Sequence, residues 1–161
     1  MWPSRWREHL PHTPERIRVS TDQQVLLEAL NAEYTAVYAY GLIAAYASPT
    51  RADIVAEYTA AHRARRDALV DMLEAAGADV PAPAAAYTPP FPVDNPIPAA
   101  KLAVTVESDT AIVWRSVVER ATTAELRGKG IEALTECAVR TATWQAILGV
   151  SPATTAFPGR P

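Results

Sequence analysis

The sequence predicts an all-α protein in which four long helices form a bundle, and the placement of proline is the main evidence. All of the 14 prolines except Pro49 fall near the N-terminus, in a central segment or near the C-terminus. Proline inside a helix costs about 3 kcal/mol, so helices belong in the two long regions between these groups. Both regions are rich in Ala, Leu, Glu and Arg, and neither shows the alternation of apolar and polar residues typical of a strand.

Length, composition and charge limit the class of protein. The chain has 161 residues, 49% of them apolar and 20% charged, which suits one globular domain. A net charge of −3 gives no basic surface for nucleic acid or an anionic membrane, and no apolar run is long enough to span a bilayer. The first residues lack the apolar stretch of a secretory signal, and the single Cys137 cannot form an internal disulfide. We therefore expect a cytoplasmic protein with no nucleic-acid or membrane partner.

The first helical region predicts a hairpin of two helices. Ser20 or Thr21 can cap a helix that runs to about Ala47, because both hydroxyls can accept a hydrogen bond from the first turn. Residues 48–50 then turn the chain. The second helix runs to Gly77, a residue type common just after helix C-termini.

The second helical region predicts another hairpin, whose third helix starts near residue 98. Thr122 followed by Glu125 has the spacing of a capping box and predicts the start of the fourth helix, which ends at Gly149. An alternative position for this turn is marked by two glycines, Gly128 and Gly130.

A proline-rich central segment, Ala78 to Ile97, connects the two hairpins. Fully extended it reaches roughly 65 Å, whereas a helix of about 26 residues is about 39 Å long, so it can cross the whole bundle. The second and third helices then run parallel, with Tyr87 and Phe91 packing the crossover onto the bundle. This predicts an N-terminal arm at residues 1–19, a bundle at 20–150 with its crossover at 78–97, and a tail at 151–161.

Ionisable residues fall on the apolar stripes of three predicted helices. Glu33, His62 and Glu107 each occupy a position between apolar residues spaced three and four apart. At 1.5 Å per residue, all three lie roughly 17 to 21 Å from the nearest turn, and Glu136 on the fourth helix lies at the same height. Buried carboxylates need a cation or a proton, so the four residues predict either a metal site or an ionic network.

Two arginines are candidates to complete such a network. The polar residues of each hairpin are 29 positions apart, so the hairpins superpose without gaps. In this register Arg66 lies at the level of Arg140. A guanidinium can hold two carboxylates through its planar fork, so we expect both arginines to contact the buried acids.

Four stretches of sequence carry a resemblance to a known family. They are ALNAEYTAVYAYG at 29–41, AHRARRDAL at 61–69, PFPV at 90–93 and WQAILGVSPATTAFPG at 144–159. With the hairpin spacing, they make the chain similar to the ferritin-like superfamily, and more narrowly to its small bacterial branch of uncharacterised ferritin-like domains. The resemblance implies a ferritin-like four-helix bundle with a di-iron site, built from one Glu on each of two helices and Glu-x-x-His on each of the other two.

The ligand set that this resemblance implies is incomplete. At most four of the six positions keep a metal-binding residue: Glu33, His62, Glu107 and Glu136. Thr59 stands where a Glu should precede His62, and Val139 stands where a His should follow Glu136. The resemblance therefore implies a degenerate di-iron site, and Glu136 is also explained by a surface pair with Arg140 at i, i+4.

Two functions are compatible with these residues. The first is a helical-bundle protein of unknown biochemical role with a degenerate di-iron site, no ferritin-type iron storage and no cofactor. The alternative is a metal-binding protein or oxidoreductase that holds iron or manganese in a reduced carboxylate and histidine site at mid-bundle. The missing ligands favour the first, and nothing in the sequence names a substrate or establishes an enzyme.

The apolar residues at the two ends of the chain predict self-association. Trp2, Trp6 and Phe157 lie in segments with no predicted helix, and we expect a homodimer that buries helix faces and can exchange these ends. A closed ferritin cage is not expected, because only a proline-containing tail follows Gly149.

Overall fold

The computed structural model describes residues 19–160, and in this range it contains four α-helices and no strand. The helices are α1 (Thr21–Tyr46), α2 (Ala52–Ala75), α3 (Pro96–Arg120) and α4 (Ala124–Ile147), with a short 3-10 helix at Pro49–Arg51. The all-α prediction is confirmed. Expectations that concern residues 1–18, including Trp2 and Trp6, lie outside the described residues.

The helices form two antiparallel hairpins that pack as a four-helix bundle. Close backbone contacts join α1 with α2, α3 with α4, and α1 with α3, whereas α2 and α4 lie further apart. Gln23 Nε2 at the start of α1 donates to the Ala76 carbonyl at the end of α2, at 3.0 Å. Neighbouring Asp22 accepts from Thr122 at the end of α3. The C-terminal ends of α2 and α3 therefore share one end of the bundle, so the two helices run parallel and the crossover spans its length.

The crossover is non-helical and packs along the bundle, as predicted. The Tyr34 hydroxyl donates to the Pro81 carbonyl at 3.1 Å, and the rings of Tyr38 and Tyr87 lie 5.3 Å apart. Val93 is buried in the core. The crossover ends slightly earlier than predicted because Asn95 caps α3, which tolerates prolines in its first turn.

Helix α1 begins with a complete capping box, and Ser20 is the cap. The Ser20 hydroxyl accepts from the Gln23 amide at 3.1 Å, and the Gln23 side chain accepts from the Ser20 amide at 2.9 Å. At the C-terminal ends of α2 and α4, Gly77 and Gly149 have φ values of 66° and 75°, which favour glycine.

Helix α4 begins one residue later than the sequence predicted, so the capping-box assignment to Thr122 is wrong. Thr123 is the cap, and its hydroxyl accepts from the Leu126 amide at 3.2 Å. The amide and the hydroxyl of Thr122 instead both donate to the carboxylate of Asp22, each at 2.7 Å. Because this carboxylate engages both groups of Thr122, the next threonine takes over the capping position.

The alternative turn at the two glycines is also excluded, because both lie inside α4. A Cβ added to Gly130 would lie 2.9 Å from Val118 Cγ2 and 3.3 Å from Val117 Cγ1 of α3. The same addition at Gly128 would meet nothing within 4 Å. Gly130 is therefore needed for the close approach of α3 and α4, and not for a turn.

The hydrophobic core consists of two clusters separated by a polar layer. One cluster, at the end where α1 begins, includes Leu26, Leu30, Leu69, Leu73 and Trp114. The other, at the opposite end, includes Tyr40, Ile43, Tyr58, Leu102 and Trp144. The buried Glu33, His62 and Glu107 lie on three different helices. On each of these helices the charged residue falls, in sequence, between residues of one cluster and residues of the other. The two hairpins thus bring charged groups to one level inside the bundle.

The tail lies against the helices of the same chain. Gly159, with φ 72°, is so close to α3 that an added Cβ would lie 2.6 Å from the Ala111 carbonyl oxygen. Phe157 remains 66% exposed. Exchange of the ends between two copies stays a prediction.

We expect Gly130→Ala and Gly128→Ala to have opposite effects on stability. The methyl group at 130 forces α3 and α4 apart and should lower the free energy of unfolding by about 1 to 3 kcal/mol. At 128 it meets no neighbour and should raise that free energy by up to about 1 kcal/mol, because alanine favours helix. Urea denaturation of the two variants measures the difference, and equal effects would contradict the helix contact.

Candidate functional site

His62 lies at the centre of the polar layer, between two carboxylates from neighbouring helices. Its Nδ1 is 2.7 Å from Glu33 Oε2 on α1, and its Nε2 is 3.1 Å from Glu107 Oε1 on α3. All three side chains are completely buried. The structure therefore brings these three predicted residues into direct contact.

This geometry requires a protonated histidine. A neutral imidazole carries one N–H, whereas both nitrogens of His62 face a carboxylate oxygen and only the imidazolium can donate to both. Burial disfavours the charge, but the hydrogen bonds to Glu107 and Glu33 outweigh burial and raise the pKa of His62 above its usual 6.5. The centre of the site is thus an imidazolium held by two carboxylates.

Glu33 has further donors on its second oxygen. Oε1 accepts from Trp114 Nε1 at 2.7 Å and from the guanidinium of Arg65 at 3.3 Å. Burial alone would raise the pKa of Glu33, but His62 together with Arg65 and Trp114 holds it below its usual value. Glu33 is therefore a fully hydrogen-bonded carboxylate.

Trp114 joins Glu33 to one core cluster, and Tyr40 joins Glu107 to the other. The Tyr40 hydroxyl donates to Glu107 Oε1 at 2.6 Å and accepts from Trp144 Nε1 at 3.1 Å. Burial and the nearby Glu107 charge raise the pKa of Tyr40, so its proton remains on the phenol. Tyr40 acts as a fixed donor to the carboxylate.

Glu136 lies at the rim of the site, with its side chain 54% exposed. It accepts from Arg65 of α2, and from Arg140 Nη2 of α4 at 3.0 Å. Burial would raise the pKa of Glu136, but the hydrogen bond and charge of Arg65, with the charge of Arg140, lower it. Arg140 also lies over the ring of Tyr58, 5.0 Å from its centroid.

Arg140 and Arg65 both belong to the network. The prediction that Arg66 is part of it is wrong. Arg66 pairs with its neighbour Asp67 on the surface, at 2.7 Å. At about 100° per residue, Arg65 lies roughly 60° to one side of His62 and Arg66 roughly 40° to the other. The side of Arg65 faces α4 and Glu136. Helical spacing alone could not select between the two neighbouring arginines.

The charges of the site balance. Three carboxylates are matched by three cationic groups: Glu33, Glu107 and Glu136 against His62, Arg65 and Arg140. The role of Arg65 and the hydrogen bonds from Tyr40, Trp114 and Trp144 were not predicted from the sequence. These hydrogen bonds could have been predicted from an indole or phenol at the same height as a buried acid, because such groups are the donors that a buried carboxylate needs.

These residues do not fit a two-metal centre of the kind that the ferritin-like resemblance implies. His62 offers no free lone pair, because both of its nitrogens face carboxylate oxygens. Thr59 donates to the Val55 carbonyl, and Val139 is 59% exposed on the outside of α4. Within residues 19–160, no cluster of three or more His, Cys, Asp or Glu side chains is arranged to hold a metal ion. Cationic side chains take the charge-balancing role that metal ions would have.

A surface groove leads to the rim of the site through the gap between α2 and α4. It has a volume of about 350 Å³ and is lined by small residues of both helices and by Arg65, Trp114, Lys129 and Glu136. Arg65 and Glu136 join the two helices beside it. The network therefore meets solvent at Glu136, while Glu33, His62 and Glu107 at its centre are completely buried.

None of the four described helices carries an apolar stretch long enough to cross a lipid bilayer.

Comparisons with known proteins relate this chain to proteins without an assigned activity. A family model described as "Domain of unknown function (DUF4439)" matches residues 25–161. Among solved structures, the chain is similar to a conserved hypothetical protein, rv2844, from Mycobacterium tuberculosis, with 40% sequence identity and a TM-score of 0.76. That match covers 79% of this chain and 96% of the other. No curated protein matches the chain.

Replacing Arg65 and Arg66 separately by methionine should affect stability very differently. Arg65→Met removes charge-assisted hydrogen bonds to Glu33 and Glu136 and should cost about 2 to 3 kcal/mol. Arg66→Met removes only a surface pair and should change stability by no more than about 0.5 kcal/mol. Chemical denaturation of both variants compares the two, and a larger loss for Arg66→Met would exclude this network.

The protonation of His62 predicts a pH dependence of stability. Its folded pKa is raised, so between about pH 6.5 and the folded pKa the native state binds up to one more proton than the unfolded chain. The stabilisation is present below that pH and is lost as pH rises through the folded pKa, by at most about 1.4 kcal/mol per unit. Urea denaturation between pH 6 and 8 should show this slope in the native protein and not in His62→Gln. Identical slopes would mean that folding does not raise the pKa of His62.

Proposed function

The chain belongs to the family of the domain of unknown function DUF4439, and we propose that it is a ferritin-like bundle protein with a degenerate di-iron site. In this proposal the buried ionic network replaces the metal centre, and the protein neither stores iron as ferritins do nor turns over a redox reaction. Its role is to present a fixed helical surface to a partner. The ferritin-like assignment is supported by the two hairpins, the long crossover and the position of the carboxylates at mid-bundle.

The observation that carries the proposal is the bonding of His62 through both ring nitrogens. A metal-binding imidazole is neutral and keeps one lone pair for the metal. Here the two nitrogens lie 2.7 Å and 3.1 Å from carboxylate oxygens of Glu33 and Glu107. Both oxygens of Glu33 are already hydrogen-bonded, so Glu33 would have to release a donor to bind a metal.

The network is suited to a structural role because it connects every helix of the bundle. Arg65 joins α2 to α1 and α4, and His62 joins α2 to α1 and α3. Removing one partner of a buried charged group leaves the other uncompensated, at a cost of about 3 to 5 kcal/mol. A displacement of any helix by one turn would separate several pairs at once, so the network selects one arrangement of the helices.

A homodimer and a cytoplasmic location also belong to this proposal. Apolar side chains on α4 and the tail are exposed, among them Ile131, Val139 and Phe157, and a second copy of the chain can cover them. A reducing compartment agrees with the single cysteine, Cys137, which is buried as a free thiol.

One observation favours the alternative, a mononuclear iron or manganese site. Glu107 Oε2 is buried and has no hydrogen-bond partner within the described residues. Together with Glu33 and a deprotonated His62, this oxygen would supply carboxylate and imidazole donors, which both metals accept. A bound metal would provide Lewis-acid or one-electron chemistry at mid-bundle.

Metal titration separates the two functions. We expect protein purified without a histidine tag to contain no stoichiometric iron or manganese, and its melting temperature to be unchanged when either ion is added. A resident metal binds only the native state and would raise the melting temperature by mass action.

Two variants provide the controls for this experiment. Glu33→Gln alters the buried site, whereas Glu132→Ala removes an exposed carboxylate of α4. A metal-dependent rise in melting temperature that is kept in Glu132→Ala and lost in Glu33→Gln would establish the alternative and reject the degenerate site.

A further inference from the structure

Two oppositely charged side chains near the middle of the bundle each have a buried polar atom with no partner in the described part of the chain. Among residues 19–160, nothing forms a hydrogen bond with Glu107 Oε2 or with Arg140 Nη1, and the two residues are 0% and 7% exposed. Buried polar atoms are almost always hydrogen-bonded, and an unpaired one costs about 1 to 3 kcal/mol. Each of the two atoms therefore needs a hydrogen-bond partner.

Neither side chain is free to turn its unbonded atom towards solvent. The other oxygen of Glu107 is held by His62 and Tyr40. The other terminal nitrogen of Arg140 is held by Glu136, and its guanidinium lies over the ring of Tyr58. The rings of Tyr58 and Tyr40 are in edge contact, with centroids 6.4 Å apart, and both are buried. The two rings thus connect the two charged side chains, because the Tyr40 hydroxyl donates to Glu107 and the Tyr58 ring lies against Arg140.

The charges of the two groups decide what kind of molecule fits between them. A metal cation is repelled by the guanidinium, and an anion is repelled by the carboxylate. A neutral molecule that donates to Glu107 and accepts from Arg140 satisfies both atoms. Water does this, and it is small enough for a site enclosed by buried side chains.

We propose that an internal water molecule bridges Glu107 Oε2 and Arg140 Nη1. With this water the polar groups form a closed ring that crosses all four helices: Glu33, His62, Glu107, water, Arg140, Glu136 and Arg65. Every other step of this ring is a hydrogen bond of the structure. The water is the remaining step, and it links α3 to α4 at the level where the core is charged.

The proposal rests on the proposed function in one respect, since Glu107 Oε2 must be free of metal. Magnetic relaxation dispersion of water deuterons and oxygen-17 counts water molecules held inside a protein for longer than the protein tumbles. Metal analysis of the same samples separates failure of this proposal from failure of the proposed function. Stoichiometric iron or manganese rejects the metal-free site, whereas metal-free protein without the bridging water rejects only the water.

The matched variants are Arg140→Met and Arg115→Met, which remove a buried and a surface arginine. We expect the dispersion amplitude of Arg140→Met to fall by one long-lived water, and that of Arg115→Met to equal the native amplitude. An unchanged amplitude in Arg140→Met overturns the proposal.

A high-resolution crystal structure of the native protein is a second test, and it does not depend on the folding of any variant. Density for water within hydrogen-bond distance of both atoms supports the bridge. A direct contact between Glu107 and Arg140, or an apolar gap between them, overturns it.

Discussion

The imidazolium of His62 between two buried carboxylates sets the register of α1, α2 and α3. A charge taken out of water is tolerated only when its partners are close and well oriented, so one buried acid imposes conditions on every group around it. Glu33 of α1 requires His62 and Arg65 of α2 and Trp114 of α3. The hairpins must therefore meet in one register, in which the acids and the cations lie at the same height.

This layer divides the hydrophobic core and joins its two halves. Trp114 belongs to one apolar cluster and donates to Glu33, whereas Tyr40 belongs to the other and donates to Glu107. Burial of apolar side chains drives the collapse of the bundle but is not directional. The hydrogen bonds of the polar layer supply direction, and they make a shift of one helix against another costly.

Arginine and histidine give a simple physical account of how the acids of this site are held ionised. Arg65, Arg140 and protonated His62 supply as many positive charges as Glu33, Glu107 and Glu136 supply negative ones. The guanidinium is always charged and its planar fork reaches two acceptors, so it keeps the acids ionised without a metal. Since α2 and α4 lie further apart than the other neighbouring helices, the gap admits the long side chain of Arg65 to the network.

The four helices, the crossover and the inward positions of Glu33, His62 and Glu107 could be predicted from the order of residues. They follow from proline placement and from the 3.6-residue period, which are properties of the chain alone. Packing of the helices selects Arg65 rather than Arg66 to complete the network, and Thr123 rather than Thr122 to cap α4. In each case two adjacent residues of the same type compete, and local patterns treat them almost equally. The choice depends on a partner distant in the chain: Glu136 selects Arg65, and Asp22 engages Thr122. The charge of His62 was undetermined for the same reason, because it depends on two carboxylates that reach the imidazole only after the helices have packed.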